Sequence, residues 1–138
     1  MDTRAVFSAS LDQLHPILEW IQGRLQPIGL EAKTIRKIEL ASEEAIVNII
    51  LHGYKEGFGT ITVEIKHQAH PEGVFIIFRD HAPPFNPLER DIALELGAPL
   101  EERELGGLGI FLMRQYMDDV EYRREGNANI LTLSVLLK

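Results

Sequence analysis

Cysteine is absent from this 138-residue chain. That excludes disulfides, thiolate nucleophiles and cysteine-ligated zinc, and it fits a reducing compartment. Long apolar runs are absent too. The longest, around Ala45–Leu51 and Val74–Phe78, fall far short of the roughly 18 residues that a helical bilayer span requires. The opening residues, MDTRAVFSAS, do not lead from a basic stretch into an apolar one, so no secretory signal is expected and the chain reads as cytoplasmic. Basic side chains are few: 14 Lys and Arg stand against 21 Asp and Glu, a net charge of -7. Such a chain is repelled on average by a phosphate backbone, which argues against direct nucleic-acid binding. Several catalytic signatures are also missing. There is no Gly-x-Ser-x-Gly, no GK[ST] phosphate loop and no GxGxxG fingerprint. The five histidines do not fall at zinc-ligand spacing; His67 and His70 flank an expected turn.

What the chain does have is an ordinary globular composition, 45% hydrophobic and 25% charged, enough for one compact domain over residues 1–138. Thr3 to Ser8 reads as a short strand. Leu14, Ile17, Leu18, Ile21 and Leu25 then recur at helical spacing, with Pro16 acceptable in the first turn and Pro27 and Gly29 ending the run. Ser10 with Gln13 resembles a capping box at its start. A second helix is expected from Glu31 to His52, stopped by Gly53. Two strands follow, Thr60–His67 with alternating Ile61, Val63 and Ile65, and Gly73–Asp80 with the continuous run VFIIF of a buried strand. From His81 to Leu105 periodicity is lost, apart from a short helix expected near Leu88–Leu96. A third helix begins within Gly106–Gly109. A hairpin closes the chain, Val120–Arg124 and Ile130–Leu137, turning at Gly126–Asn127. The expected fold is a two-layer α/β sandwich (α+β), with a mixed, mostly antiparallel sheet and helices on one face.

Three groups of residues can carry chemistry. Glu44 and Asn48 lie one turn apart on one face of the second helix. An amide within AIVNIIL is costly unless bonded or coordinated. Asn48 therefore either satisfies a backbone group while Glu44 faces solvent, or offers a hard oxygen to Mg²⁺ beside a carboxylate base. Asp80, just past the apolar strand, either shapes a turn or accepts a hydrogen bond from the amino group of a base. Gly106, Gly107 and Gly109 at a helix start either form a loop or leave amides open to phosphate.

In combination and order, the segments SEEAIVNIILHGY, FRDHAPPFNP and GGLGIFLMRQYMDDVEY resemble the ATP-binding domain of bacterial anti-sigma-factor serine kinases. That family lies in the wider superfamily of gyrase, heat-shock chaperone, histidine-kinase and mismatch-repair ATPases. The resemblance covers nearly the whole chain and implies the histidine-kinase-like ATPase fold, with ATP and Mg²⁺ as cofactors. It implies that Glu44 is the general base, Asn48 the Mg²⁺ ligand and Asp80 the adenine-recognising carboxylate. It places Ala82 in the base-binding loop, Gly106, Gly107 and Gly109 against the phosphates, and Thr132 as a hydroxyl near the adenine. Residues 83–105 would be the lid. The implied partners are a sigma factor and an antagonist protein carrying the acceptor serine, with a homodimer as the expected assembly. The superfamily pattern after the Asp is Asp-x-Gly-x-Gly, and Ala82 and Pro84 replace both glycines here. A methyl at position 82 would crowd the ligand or forbid a positive φ. Leu105 stands where some kinase relatives carry a basic residue, with Arg103 two positions before it. A nucleotide-gated binding module without phosphotransfer is thus the alternative, and an α/β interaction domain without nucleotide the third reading.

Overall fold

A computed structural model describes residues 3–54, 59–90 and 107–137. Five strands form one sheet in the order β1-β2-β3-β5-β4. They are β1 (Thr3–Ser8), β2 (Thr60–Ala69), β3 (Glu72–Asp80), β4 (Asp119–Glu125) and β5 (Ala128–Leu136). All four pairings are antiparallel, so the parallel component expected from the sequence is not present among the described strands. Three helices, α1 (Leu14–Leu25), α2 (Ala32–Asn48) and α3 (Gly107–Tyr116), complete the second layer.

The alternation of each strand decides which side the helices cover. Ile61, Val63 and Ile65 pair with Asp80, Phe78 and Ile76, and these with Asn129, Leu131 and Leu133. All nine are buried, on the face that meets the helices. On the other face Val6 and Leu136 stay exposed. Helix α1 buries Ile17, Ile21 and Leu25 at successive turns, so its apolar stripe is core packing. Its Trp20 meets Phe7 edge-on and carries Arg24 over its ring. Each fully buried Ile or Phe contributes about 1.5–3 kcal/mol relative to exposure.

Two sequence expectations are corrected at the helix ends. Ser10 does not form a capping box: its hydroxyl donates to the Asp12 carboxylate, and a short 3-10 turn, Leu11–Gln13, precedes α1. Helix α2 does not run regularly to His52. It widens after Asn48 into a π turn, Ile49–Gly53, closed by the Tyr54 N–H on the Ile49 carbonyl at 2.9 Å. Such wide turns recur at functional sites because they re-aim the side chains beside them. In the region after Asp80, Pro87–Arg90 is a 3-10 turn, and the rest of the helix expected near Leu88–Leu96 lies outside the described residues. The last hairpin turns at Gly126–Asn127 as read, with Gly126 alone at positive φ (61°), as a type II′ turn requires at its first central position.

Helix α2 also buries a polar group it does not satisfy. Ser42 is fully buried, and its hydroxyl has no hydrogen-bond partner among the described residues. Replacing an orphaned hydroxyl by a methyl removes a desolvation cost and adds helix propensity. Ser42→Ala is therefore expected to raise stability by about 0.5–1 kcal/mol. A thermal melt checks this, and a fall of similar size would show that the hydroxyl is bonded in solution.

Candidate functional site

Glu44 and Asn48 sit on the last two turns of α2. The Asn48 amide nitrogen donates to the Glu44 carbonyl at 2.8 Å, one turn back. Its Oδ1 is different: Asn48 is fully buried, and that oxygen has no hydrogen-bond partner among the described residues. One sequence alternative had the amide satisfied by the backbone, and the structure meets it by half. The nitrogen is satisfied and the oxygen is not. A buried acceptor without a donor costs about 1–3 kcal/mol, and a hard cation is a ligand that would relieve it. Asn48 Oδ1 thus fits Mg²⁺. Glu44 is half-buried, and burial, reinforced by the neighbouring Glu43 charge, raises its pKa above the usual carboxylate value. A raised pKa brings a carboxylate closer to the range where it works as a general base near neutral pH.

Asp80 ends β3 and is 4% exposed. Its Oδ1 accepts the Ala82 N–H at 3.0 Å and the Asn129 side-chain amide at 2.8 Å. Burial raises the Asp80 pKa, opposed by the Asn129 bond, the Ala82 N–H and the charges of His81 and Arg124.

The loop after Asp80 is pinned from two sides. From the π turn, Tyr54 accepts the His81 N–H (2.6 Å) through its hydroxyl and donates to the Thr60 carbonyl (2.9 Å). His52 stacks on Phe85 with ring centroids 6.0 Å apart. From the last hairpin, Arg124 donates to the Ala82 carbonyl at 2.9 Å. The end of α2 and the Asp80 loop therefore meet, and Ala82 lies at the junction. It is buried, no residue other than glycine has positive φ among the described residues, and its methyl is 3.5 Å from where a Cβ on Gly53 would lie. The methyl packs on the π turn without a forbidden φ, so the departure from glycine costs no backbone strain. Ala82→Gly should lower stability by about 1 kcal/mol through lost packing and added chain freedom. A thermal melt checks this, and an unchanged midpoint would mean that the methyl packs on nothing.

Gly107 and Gly109 open α3, which packs beside α2; Gly106, Arg103 and Leu105 lie outside the described residues, as does most of the expected lid. Thr132 is not brought to the cluster. It pairs with Ile77 and Glu121 on the face away from the helices, because it stands three residues from Asn129 and a strand alternates every residue.

Asn129 occupies the place across from Asp80, and sequence reasoning missed it. The signal was present: an amide stands at the head of the largely apolar run NILTLSVLL, much as Asn48 stands within AIVNIIL. What the sequence did not supply was the register that sets it opposite Asp80.

A family model described as a histidine kinase-like ATPase domain matches residues 7–135. The serine-protein kinase RsbW of Listeria innocua is 31% identical over 117 residues, which cover 81% of this chain and 73% of that protein. The protein of the same name from Bacillus cereus is 27% identical over 105 residues, covering 75% of this chain and 66% of its own length. The match thus leaves a quarter to a third of these relatives unaligned. Among solved structures, the RsbU and RsbW domains of a Mycobacterium tuberculosis protein match with a TM-score of 0.71 at 14% identity, covering 99% of this chain and 32% of that one. The histidine kinase domain of the Erythrobacter litoralis EL346 blue-light activated histidine kinase gives 0.55 at 17% identity, covering 90% and 61%. At these identities the two structures establish the likeness of fold.

Proposed function

The chain belongs to the histidine kinase-like ATPase family, among the serine-protein kinase relatives within it, and from that premise we propose that it is a Mg²⁺-ATP-dependent protein serine kinase. Its substrate is an antagonist protein carrying the acceptor serine, and its second partner is a sigma factor that it holds away from RNA polymerase. The observation that carries the reading is the orphaned, fully buried Asn48 Oδ1 one helical turn from Glu44. A structural amide is ordinarily satisfied at both ends, and Asn48, unlike the equally orphaned Ser42 hydroxyl, has a carboxylate four residues before it.

In this mechanism each residue has one task. Asp80 accepts a hydrogen bond from the adenine amino group, and Asn48 Oδ1 holds the metal. The amides of Gly107 and Gly109, at the start of α3, would meet the phosphates, with no side chain of their own to cover them, and the resemblance assigns Gly106 the same task. Bound Mg²⁺ supplies neutralisation of the triphosphate charge. Glu44 takes the proton of the acceptor serine hydroxyl. As it does so, the serine oxygen forms a bond to the γ-phosphorus, and the bond from that phosphorus to the bridging oxygen breaks to release ADP. Positioning and charge compensation carry nearly all of the catalysis in such transfers.

Two measurements test the reading. Calorimetric titration of the purified protein with ATP should show saturable binding enhanced by Mg²⁺, and no binding at millimolar ATP by a well-folded protein would end it. Labelled phosphate should then pass from ATP to a serine of the cognate antagonist. Binding without transfer would leave the nucleotide-gated module in its place.

A further inference from the structure

The cross-strand partner of Asp80 is bonded on every side. Asn129 is 4% exposed. Its Oδ1 receives three donors: the Tyr122 hydroxyl at 2.5 Å, an Arg124 guanidinium nitrogen at 3.2 Å and the Phe85 N–H at 3.3 Å. Its Nδ2 faces three acceptors: Asp80 Oδ1 at 2.8 Å, the Pro83 carbonyl at 3.1 Å and the Ala82 carbonyl at 3.2 Å. The amide is therefore held in one orientation. Turned over, it would set its oxygen against a carboxylate and two carbonyls and its N–H groups against three donors.

An amide so fixed does two things to the carboxylate beside it. It ties Oδ1, so the group cannot rotate freely and Oδ2 is left to meet a ligand. It also donates to the charged form, which favours ionisation against the cost of burial. The other charged groups that face Asp80 among the described residues are His81, next along its own chain, and Arg124 on β4, and both act in the same direction. Of the influences that oppose burial at Asp80, the Asn129 bond is the largest.

A carboxylate that is ionised and fixed is an acceptor only. It matches a purine with an amino group at position 6 and rejects one with a carbonyl there, since two acceptors would then face each other. A protonated carboxyl loses this discrimination, because its O–H can donate to the carbonyl. We infer that Asn129 is a positioning residue that fixes Asp80 as a hydrogen-bond acceptor and so sets the preference for 6-amino over 6-oxo purine nucleotides. The inference rests on the nucleotide-binding reading and deepens it. Asn129 acts through Asp80, and Tyr122 and Arg124 act through Asn129.

The test compares the affinities of ATP and inosine triphosphate, its 6-oxo counterpart, at pH 6 and pH 8 with Mg²⁺ present. Wild-type protein should prefer ATP by about 100-fold, the scale of leaving a buried polar pair mismatched. Asn129→Ala should prefer it by less than about 10-fold, and lowering the pH should narrow the ratio more in the variant than in wild type, because the variant lacks the donor that favours the charged form. Asn129→Ser, which restores one short donor, should recover most of the preference. Equal losses for both nucleotides in Asn129→Ala, with the ratio and its pH dependence unchanged, would show a role in folding alone and overturn the inference. If Asn129→Ala does not fold, the near-isosteric Asn129→Leu, which fills the space without a donor, decides: an ATP preference unchanged from wild type overturns the inference equally. Failure of wild-type protein to bind either nucleotide is a different result, because it removes the nucleotide reading itself.

Discussion

Glu44→Gln is expected to slow phosphate transfer to the antagonist serine by about 10²–10⁴-fold, the usual contribution of a positioned general base, while leaving ATP affinity within a few-fold. The amide keeps the shape of the side chain and loses only the capacity to accept a proton. Stability should move the other way. Burial and Glu43 raise the Glu44 pKa in the folded protein, so the folded state holds that proton more tightly than the unfolded state. The resulting stabilisation is full below the unfolded value and is lost as pH rises through the folded one. Above that range wild-type Glu44 is a charge held at a cost, and Glu44→Gln should be the more stable protein. Solvent screening of a half-exposed group keeps the margin small, and it fades as pH falls towards the ordinary carboxylate value of 4.5. Single-turnover transfer, calorimetry and urea unfolding at two pH values measure the three effects. A collapse of ATP affinity parallel to the loss of transfer would make Glu44 a ligand-holding residue.

Asn48→Ala carries the second large effect. Removing the one buried oxygen of the site that is unsatisfied among the described residues should weaken Mg²⁺-ATP binding by at least about 100-fold, as expected when a charged ligand loses its buried partner. Without nucleotide the variant should be within about 1 kcal/mol of wild type, because the relief of an orphaned acceptor offsets the small void left behind. A thermal shift assay separates the two. At ligand concentrations a hundredfold above Kd, wild-type protein gains about 2.7 kcal/mol, and the variant should show almost none of it. A variant that keeps the full Mg²⁺ response would place the metal on other groups.

How far the sequence could be read follows from which forces act locally. The five strands and the bodies of α1 and α2 were legible because periodicity reports burial, as in Ile61, Val63 and Ile65 or Ile17, Ile21 and Leu25. The spacing of Glu44 and Asn48 was legible for the same reason: a helix fixes the relation of residues four apart. The π turn was not, since nothing in IILHG distinguishes it from another helical turn; its closure depends on Tyr54, held by Thr60 of β2 and by His81 just after β3. Thr132 and Asn129 show the same limit in the sheet. Both lie on β5, and only the pairing with β3 decides which faces Asp80. The room for the Ala82 methyl was not legible either, because the surface it packs on includes Gly53, twenty-nine residues earlier.

The position of β5 has a consequence for how the molecule is assembled. It follows the other four strands in sequence, yet it lies inside the sheet between β3 and β4. Pairing β3 with β5 spans about fifty residues, as between Asp80 and Asn129, and such distant contacts slow folding. Until β5 arrives, β3 presents an unpaired edge in the run VFIIF, a segment of high β-propensity and no charge. The nascent chain is therefore most prone to self-association in the interval between synthesis of β3 and insertion of β5. The same insertion that ends this exposure also delivers the amide that fixes Asp80.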